Sequence, residues 1–463
     1  MAGYIFTIAS DQGIEGVEAA VRDGFYASTM PNEKLKSSQA RNIAVSVLAD
    51  YLSMRAGDNV YFLSKRKIYG VGVLLDIDGY CKYKNYINAN DLNPKAHYSE
   101  DDEPLIRSLS PACRWICLFE PEVQFFDIGV DMDEVLMYRP QAFRVLRSLQ
   151  NRTFIKIDDE ENQALKECIY LKNKNNTGVI GFSKEFHDEL RTKDLSKYII
   201  DSDIFAKNLN DDNSFKLEMM LEAALIKQIN EVGFEGEFYD YVTHQVIASP
   251  FKPLAYIDKM DIFAYRFLEK FPGSKKPIEK YLVVELKKDK AKKDMVLQLM
   301  RYVDWISNEY ASGDYSKIKA VGIAKSYNPD VQSTVKSECV RSFLCETHPN
   351  KTAKWNDITF YEYSVDENGQ IDLKEAQLDK HSSVLIKYME ELGIEVKKTA
   401  ITVEGKKLNP IFKINDIVVF DDIDNYTRKK LEDKKWDVIT IEKPRSTESD
   451  MNLVRDIVKK LIK

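Results

Sequence analysis

Two charged residues end an apolar run near the middle of the chain. The run Tyr281–Val284 is followed by Glu285, Leu286 and Lys287. Side chains at positions i and i+2 of a strand point to the same face, so we expect Glu285 and Lys287 side by side, with Leu286 in the core. A carboxylate can bind a hard cation, and a lysine can stabilise charge or position an attacking water. This pair suits metal-assisted hydrolysis of a phosphodiester.

The helix that follows adds a second polar pair, Gln298 and Tyr302, at positions i and i+4 of one face. E-x-K followed by Q-x-x-x-Y resembles the PD-(D/E)XK nucleases, especially their RecB-like branch. The resemblance implies a restriction-endonuclease-like α/β sheet and Mg²⁺ or Mn²⁺ as cofactor. It also implies that Lys287 assists the nucleophile, while Gln298 and Tyr302 orient the catalytic residues around it.

The family motif also needs an aspartate on the preceding strand. The alternating segment Tyr256–Tyr265 offers Asp258 and Asp261. Asp261 is followed by Ile-Phe-Ala, which resembles the family's D-I-L-A strand, so Asp261 is the preferred match and Asp258 the runner-up. The turn-forming run Phe271–Pro277 predicts a hairpin that brings Asp261 beside Glu285. No proline precedes Asp261, which departs from the motif that names the family.

An acidic residue on an upstream helix completes the family pattern. Segment Phe215–Ile229 has the apolar spacing of an amphipathic helix. Glu222 resembles the family's helical acid, and Glu218, one turn earlier, is the alternative. The resemblance implies that Glu222, Asp261 and Glu285 hold one or two metal ions. An E-x-K pair alone is common in proteins, so the nuclease hypothesis depends on all four motifs occurring in order.

The local charge around these motifs differs from that of the whole chain. Residues 252–301 contain thirteen Lys and Arg against seven Asp and Glu, in a chain whose formal net charge is -7. A local basic surface is what binding to a phosphate backbone requires. This pattern favours a nucleic-acid partner, and the resemblance to the nucleases implies double-stranded DNA.

The N-terminal part, residues 1–165, reads as a separate β-rich unit. Segment Met54–Leu63, followed by Lys67–Val73, resembles EVE and related PUA-like domains, in which K-x-G-D-x-V-x-F precedes a strand ending G-x-G. The resemblance implies a β-barrel that seats one flipped or modified base in an aromatic pocket. For each aromatic residue, core packing is the alternative interpretation. The base-pocket candidates are Ser38, Asn42, Tyr61 and Trp115, with Phe25 and Tyr26 as further aromatic residues.

Three further segments complete the predicted α/β multidomain organisation. Residues 166–213 read as a polar linker or bridge, residues 214–375 as the nuclease domain, and residues 380–463 as a small C-terminal α/β domain. The last has no complete E-x-K set, which indicates an interaction or regulatory role, with homo-oligomerisation as one option. Cys339, Cys345 and His348 are too scattered to predict a zinc site.

The remaining features concern compartment and role. The short apolar N-terminus lacks a basic lead, no apolar run approaches the length of a membrane span, and six cysteines lack a framework spacing. We therefore expect a cytoplasmic protein with no membrane partner. The sequence predicts a metal-dependent DNA endonuclease for defence against foreign DNA, including modified DNA, whose N-terminal unit selects the target. The alternatives are a catalytically inactive nucleic-acid-binding or regulatory protein, and an RNA-directed nuclease.

Overall fold

The chain has a mixed α/β fold with several sheets, which confirms the class predicted from the sequence. The computed structural model describes residues 1–8, 13–29, 37–89, 103–147, 153–248, 258–272, 276–378, 381–397, 399–420, 423–441 and 447–462. Two compact units are present. The first comprises Met1–Lys290, Lys317–Ser326 and Tyr361–Lys374, and the second comprises Ala291–Ser316, Tyr327–Phe360 and Glu375–Lys463.

The first half of the chain contains both strands and helices up to the helix that carries the predicted acidic residues. In order they are β1 (Gly3–Thr7), α1 (Gly13–Arg22), β2 (Phe25–Ala27), α2 (Ser37–Ser53), β3 (Asn59–Ser64), β4 (Lys67–Leu74), β5 (Lys82–Lys84), β6 (Trp115–Pro121), β7 (Phe125–Phe126), β8 (Val130–Asp131), α3 (Met132–Tyr138), β9 (Phe154–Ile157), α4 (Asp159–Lys172), β10 (Val179–Ile180), α5 (Glu185–Leu190), α6 (Asp203–Ala206) and α7 (Glu218–Val232).

The second half of the chain contains the strands that carry the E-x-K motif and its neighbours. In order the elements are β11 (Tyr241–Ile247), β12 (Lys259–Phe267), β13 (Ile278–Ala291), α8 (Lys293–Glu309), β14 (Ile318–Tyr327), α9 (Pro329–Glu338), β15 (Arg341–Thr347), β16 (Asn350–Trp355), β17 (Ile358–Val365), β18 (Ile371–Glu375), α10 (His381–Glu391), β19 (Ile401–Val403), β20 (Lys406–Leu408), β21 (Phe412–Ile414), β22 (Ile417–Phe420), α11 (Asn425–Asp433), β23 (Asp437–Thr440) and α12 (Thr447–Ile462).

The N-terminal strands form a curled half-barrel sheet in the order β2-β6-β4-β3-β1-β9, with β5 on β6 and β8 on β4. Residues 1–165 are rich in β-strands, as the sequence predicts. Asp158 caps α4 by accepting hydrogen bonds from the Glu160 and Glu161 amides, as its aspartate-first sequence predicts.

The second large sheet has the order β11-β12-β13-β14-β17-β18. Strands β12 and β13 pair antiparallel, with Ile262 opposite Val284 and Phe263 opposite Val283, so the predicted pairing of the Asp261 and Glu285 strands is confirmed. The apolar residues of β13 from Tyr281 to Leu286 are buried. Helix α7 packs its apolar face into the same core, and this places both predicted acidic residues of α7 near the sheet.

Residues 166–213 contain more structure than a polar composition suggests. Strand β10 pairs with β7, and residues Glu185–Leu190 form helix α5. Leu190, Tyr198, Ile204 and Phe205 are buried in cores of the first unit. The stretch is therefore packed against its neighbours. The four predicted domain boundaries stay predictions.

The second unit contains α8 and α9, the β15–β16 hairpin and the C-terminal elements. In the C-terminal part, β22 pairs antiparallel with β21 and parallel with β23. One core cluster there includes Leu385, Phe412, Val419 and Ile457. The α/β composition predicted for residues 380–463 is confirmed by helices α10, α11 and α12 and by strands β19 to β23. None of the helices in the described ranges is both long and apolar enough to cross a membrane.

Gly233 ends α7, and its backbone conformation can be tested by substitution. Its φ of 82° and ψ of -171° are accessible essentially to glycine alone, and a Cβ would lie 2.5 Å from the Glu237 carbonyl oxygen. We expect Gly233→Ala to lower the free energy of unfolding by about 2 kcal/mol or more. Urea denaturation followed by circular dichroism measures this loss.

Gly236 is the matched control for this substitution. It has a φ of 80° in the same turn, but no atom lies within 4 Å of its added Cβ. Gly236→Ala should therefore cost only the backbone strain, about 1 kcal/mol. Equal losses for the two variants would show that the close approach to Glu237 does not fix the end of α7.

Candidate active site

Neighbouring strands bring three of the predicted catalytic residues together. Asp261 lies on β12, and Glu285 and Lys287 lie on β13. The Leu286 amide donates to Asp261 Oδ2 at 2.8 Å, and Lys287 Nζ donates to Glu285 Oε1 at 2.8 Å. Glu285 is fully buried. The apolar register of β12 and β13 thus holds two carboxyl groups and an ammonium group at one place on the sheet.

Helix α7 adds two carboxylates one turn apart. Glu222 is buried, and its Oε2 accepts from Gln245 Nε2 at 2.8 Å. The same amide nitrogen lies 3.3 Å from Asp261 Oδ1. Glu218 Oε1 accepts from Lys287 Nζ at 3.3 Å. Both helical candidates therefore contact the site, Glu222 on the side of Asp261 and Glu218 on the side of Lys287.

Asp258, the runner-up for the strand aspartate, lies just before β12. Its carbonyl oxygen accepts from the Ala248 amide at 2.9 Å, at the end of β12 where Lys259 pairs with Ile247. Asp261 instead has hydrogen bonds to Gln245 and to the backbone of β13. The geometry favours Asp261 over Asp258 as the partner of Glu285.

Crowding of the carboxyl groups alters their protonation. Burial, followed by the charges of Glu285 and Glu222, raises the pKa of Asp261 well above its usual value. Burial outweighs the opposing charge of Lys287 and raises the pKa of Glu285 to about 7. Burial acts to lower the pKa of Lys287, but Glu285 and Glu218 raise it above its usual value. The buried carboxyl groups of Asp261 and Glu285 therefore hold their protons at neutral pH more strongly than isolated carboxyl groups do.

Sequence reasoning missed two residues behind Glu222. His244 Nδ1 lies 2.6 Å from Glu222 Oε1, and His244 Nε2 lies 3.0 Å from Asp50 Oδ1. Burial opposes the charged imidazolium, but Asp50 and Glu222 raise the pKa of His244 to about 9, so both ring nitrogens donate at neutral pH. The signal in the sequence was a His-Gln pair within the otherwise apolar β11.

The Q-x-x-x-Y pair lies on α8, in the second unit. Gln298 Nε2 donates to Tyr302 Oη at 2.5 Å, and the Tyr302 ring is buried. The two side chains share one helical face, as the spacing predicts. Their role in orienting the catalytic residues stays a prediction.

The N-terminal base-pocket candidates occupy different places. Tyr61 is fully buried and donates from Oη to Asn162 Oδ1 at 2.7 Å, in one core cluster of the half-barrel. Trp115 is fully buried in another, with its ring centroid 6.1 Å from that of Tyr51. The structure therefore does not place Tyr61 and Trp115 in one cluster.

The two polar candidates belong to α2. Asn42 is exposed, and Ser38 lies in the first turn of the helix, with its side chain outside the described residues. Of the two further aromatic residues, Tyr26 stacks on Phe6 at 4.7 Å and Phe25 packs edge-on against Phe186. The base-reading role of all these residues stays a prediction.

The carboxylates do not form a ready-made metal site. In the part of the chain that the structure describes, no group of three or more His, Cys, Asp or Glu side chains is arranged to hold a metal ion. The physical reason is that their oxygens bond to neighbours: Lys287 binds Glu285, while Gln245 bridges Glu222 and Asp261. One oxygen is an exception, because the buried Glu285 Oε2 accepts no hydrogen bond from any described residue.

Comparisons with known proteins add nothing to this geometry. No protein-family profile matches the chain, and neither curated proteins nor solved structures gave a significant match.

The raised pKa of Glu285 predicts a pH-dependent cost of folding. The carboxyl group ionises near 4.5 in the unfolded chain and near 7 in the fold, so stability falls as pH rises between these values. Glu285→Gln removes this titration. Without divalent cations, we expect the free energy of unfolding of the variant, relative to that of wild type, to rise by on the order of 2 kcal/mol from pH 5 to pH 8.

Urea denaturation of both proteins in EDTA at the two pH values measures this gain. Glu15→Gln, on the exposed side of α1, is the control for the loss of one carboxyl group. If the difference in unfolding free energy between Glu285→Gln and wild type stays constant or shrinks toward pH 8, the buried Glu285 carboxyl group does not retain its proton in the fold.

Proposed function

We propose that this protein is a metal-dependent nuclease that hydrolyses phosphodiester bonds in DNA. The observation that carries the proposal is the meeting of Asp261, Glu285 and Lys287 on adjacent strands, joined by Glu222 through the Gln245 amide. Carboxylates from two strands and one helix, with a lysine beside them, are a donor set suited to phosphodiester chemistry.

These residues are of the types that bind a hard divalent cation. Glu285 Oε2 is buried without a hydrogen-bond donor among the described residues, and leaving such an oxygen unsatisfied is costly. After burial, repulsion from Glu285 and Glu222 contributes to the raised pKa of Asp261, and repulsion from Glu218 contributes to the raised pKa of Glu285. A cation would relieve this repulsion. Glu222, Asp261 and Glu285 would hold one or two Mg²⁺ or Mn²⁺ ions. When bound, the metal supplies an activated water and polarises the phosphoryl oxygen.

Lys287 contributes a permanent positive charge. Its raised pKa keeps the ammonium group protonated at neutral pH. Its side chain is one-third exposed and therefore accessible to a phosphate. The ammonium is suited to stabilising negative charge on a phosphoryl oxygen or to orienting the attacking water.

The parts of the chain on either side of the site suggest a biological role for the proposed nuclease. We assign the sheet around β13 to a restriction-endonuclease-like domain and the half-barrel to a PUA-like unit that selects the target. Gln298 and Tyr302 would orient the catalytic residues. Selection of a modified or foreign base followed by cleavage is the logic of a defence nuclease, by analogy with modification-dependent restriction.

Cleavage assays test the chemistry. Purified protein is incubated with unmodified plasmid, modified phage DNA and RNA in Mg²⁺, Mn²⁺ or EDTA. We expect wild type to cut DNA only with a divalent cation, and Glu285→Ala and Lys287→Ala to lose at least about a hundredfold in rate, since each removes a group that acts in the transition state. Cleavage confined to RNA would assign the same site to an RNA-directed nuclease.

Two exposed residues outside the site provide matched controls, Glu15→Ala and Lys174→Ala, which should cut like wild type. Identical behaviour of wild type, Glu285→Ala and Lys287→Ala on every substrate would exclude the nuclease function and leave a nucleic-acid-binding or regulatory role.

A further inference from the structure

Helix α2 belongs to the N-terminal half of the chain, yet its last turns face the candidate active site. Asp50, on α2, accepts from His244 Nε2 at 3.0 Å. The other ring nitrogen of His244 lies 2.6 Å from Glu222 Oε1. An unbroken side-chain connection therefore runs from the N-terminal half to one of the proposed metal-binding carboxylates.

The end of α2 is fixed to the nuclease elements by further hydrogen bonds. Arg55 donates from Nε and Nη2 to Asn230 Oδ1 of α7 at 2.9 and 2.6 Å. Asn230 in turn donates to the Leu52 carbonyl at 3.0 Å. The buried Lys156 donates to the carbonyl oxygens of Ser53 and Val242, each at 2.7 Å. These bonds hold α2 in a fixed position against both α7 and β11.

Both nitrogens of His244 are engaged, which leaves the ring no freedom to rotate. His244 is 5% exposed and Glu222 is 2% exposed, so water does not readily replace either partner. With Oε1 held by His244, the second oxygen of Glu222 accepts from Gln245, whose amide also contacts Asp261. The orientation of the Glu222 carboxylate thus depends on His244, and that of His244 on Asp50.

We propose that Asp50 is a positioning residue of the nuclease site, which fixes Glu222 through His244, so that the N-terminal half completes the catalytic centre. This inference rests on the proposed nuclease function. Hydrogen-bond partners of metal ligands orient those ligands, and removing one typically costs about 10- to 100-fold in metal affinity or activity. His244 is such a partner of Glu222, and Asp50 fixes His244 in turn.

The test uses full-length protein and two readouts. Calorimetry measures Mn²⁺ binding without substrate, and steady-state cleavage of DNA gives kcat and KM. We expect Asp50→Ala to weaken Mn²⁺ binding and lower kcat about 10- to 100-fold each, with KM for DNA unchanged. Asp50→Asn keeps an oxygen that can accept from His244 Nε2, so it should recover part of both losses.

Asn230→Ala is the control for a purely structural role. It removes the bonds from Arg55 and to Leu52 but leaves His244 untouched. Asn230→Ala should lower the Tm while Mn²⁺ affinity stays within about twofold of wild type, because the Glu222 contacts remain. If Asp50→Ala matches this pattern, Asp50 only holds the fold together and the inference is wrong.

The outcomes separate the inference from the proposed function. Wild type that neither binds Mn²⁺ nor cuts DNA overturns the nuclease proposal itself. Wild type that does both, beside Asp50 variants with unchanged Mn²⁺ affinity and kcat, overturns only the role of Asp50. If Asp50→Ala does not fold, Asp50→Leu, which is close to aspartate in size but has no acceptor oxygen, decides in its place: Mn²⁺ affinity within about twofold of wild type rejects the positioning role.

Discussion

Electrostatic repulsion among buried carboxylates is the constraint on which the rest of this structure depends. Glu222 and Glu285 are almost completely buried, and Asp261 contacts the backbone of the same strand as Glu285. Ionised carboxylates in such surroundings are costly unless they are paired or coordinate a metal. The fold meets this cost with Lys287 beside Glu285 and with His244 beside Glu222. Each of these partners needs a rigid element to hold it there.

That rigidity comes from a core shared by both large sheets. One cluster of buried residues includes Tyr4 and Phe62 of the half-barrel together with Leu282 and Val284 of β13. Helices α2 and α7 contribute to the same cluster. The N-terminal half therefore supports the strands that carry the carboxylates. Removing residues 1–165 to test target selection would also remove Asp50 and part of this core, so point substitutions are the sharper probe.

The placement of the site residues could be predicted where it follows local sequence patterns. Strand alternation predicts Glu285 and Lys287 on one face, and apolar spacing predicts helix α7. Apolar spacing alone does not distinguish Glu218 from Glu222, because residues one helical turn apart share a face. In the structure both residues contact the site. Asp50 escaped prediction, since its contact with His244 joins positions 194 residues apart. No local periodicity encodes such a pair. The role of the aromatic residues on the β-strands could not be predicted from the sequence, because an aromatic side chain suits a base pocket and core packing equally well.

Gln245 shows how the site is arranged before any ligand arrives. Its φ of 53° lies in the left-handed region, an unfavourable conformation for a residue other than glycine, of the kind that collects at functional sites. The strained backbone lets one amide nitrogen bridge Glu222 and Asp261. A cation held by these two carboxylates would compete with that bridge, and near Glu285 it would compete with the Lys287 ammonium. The net affinity for the cation is then set by the free energy of coordination minus the free energy lost when these contacts break. A site of this kind stays neutralised without metal, and its carboxylates can remain clustered while the protein folds.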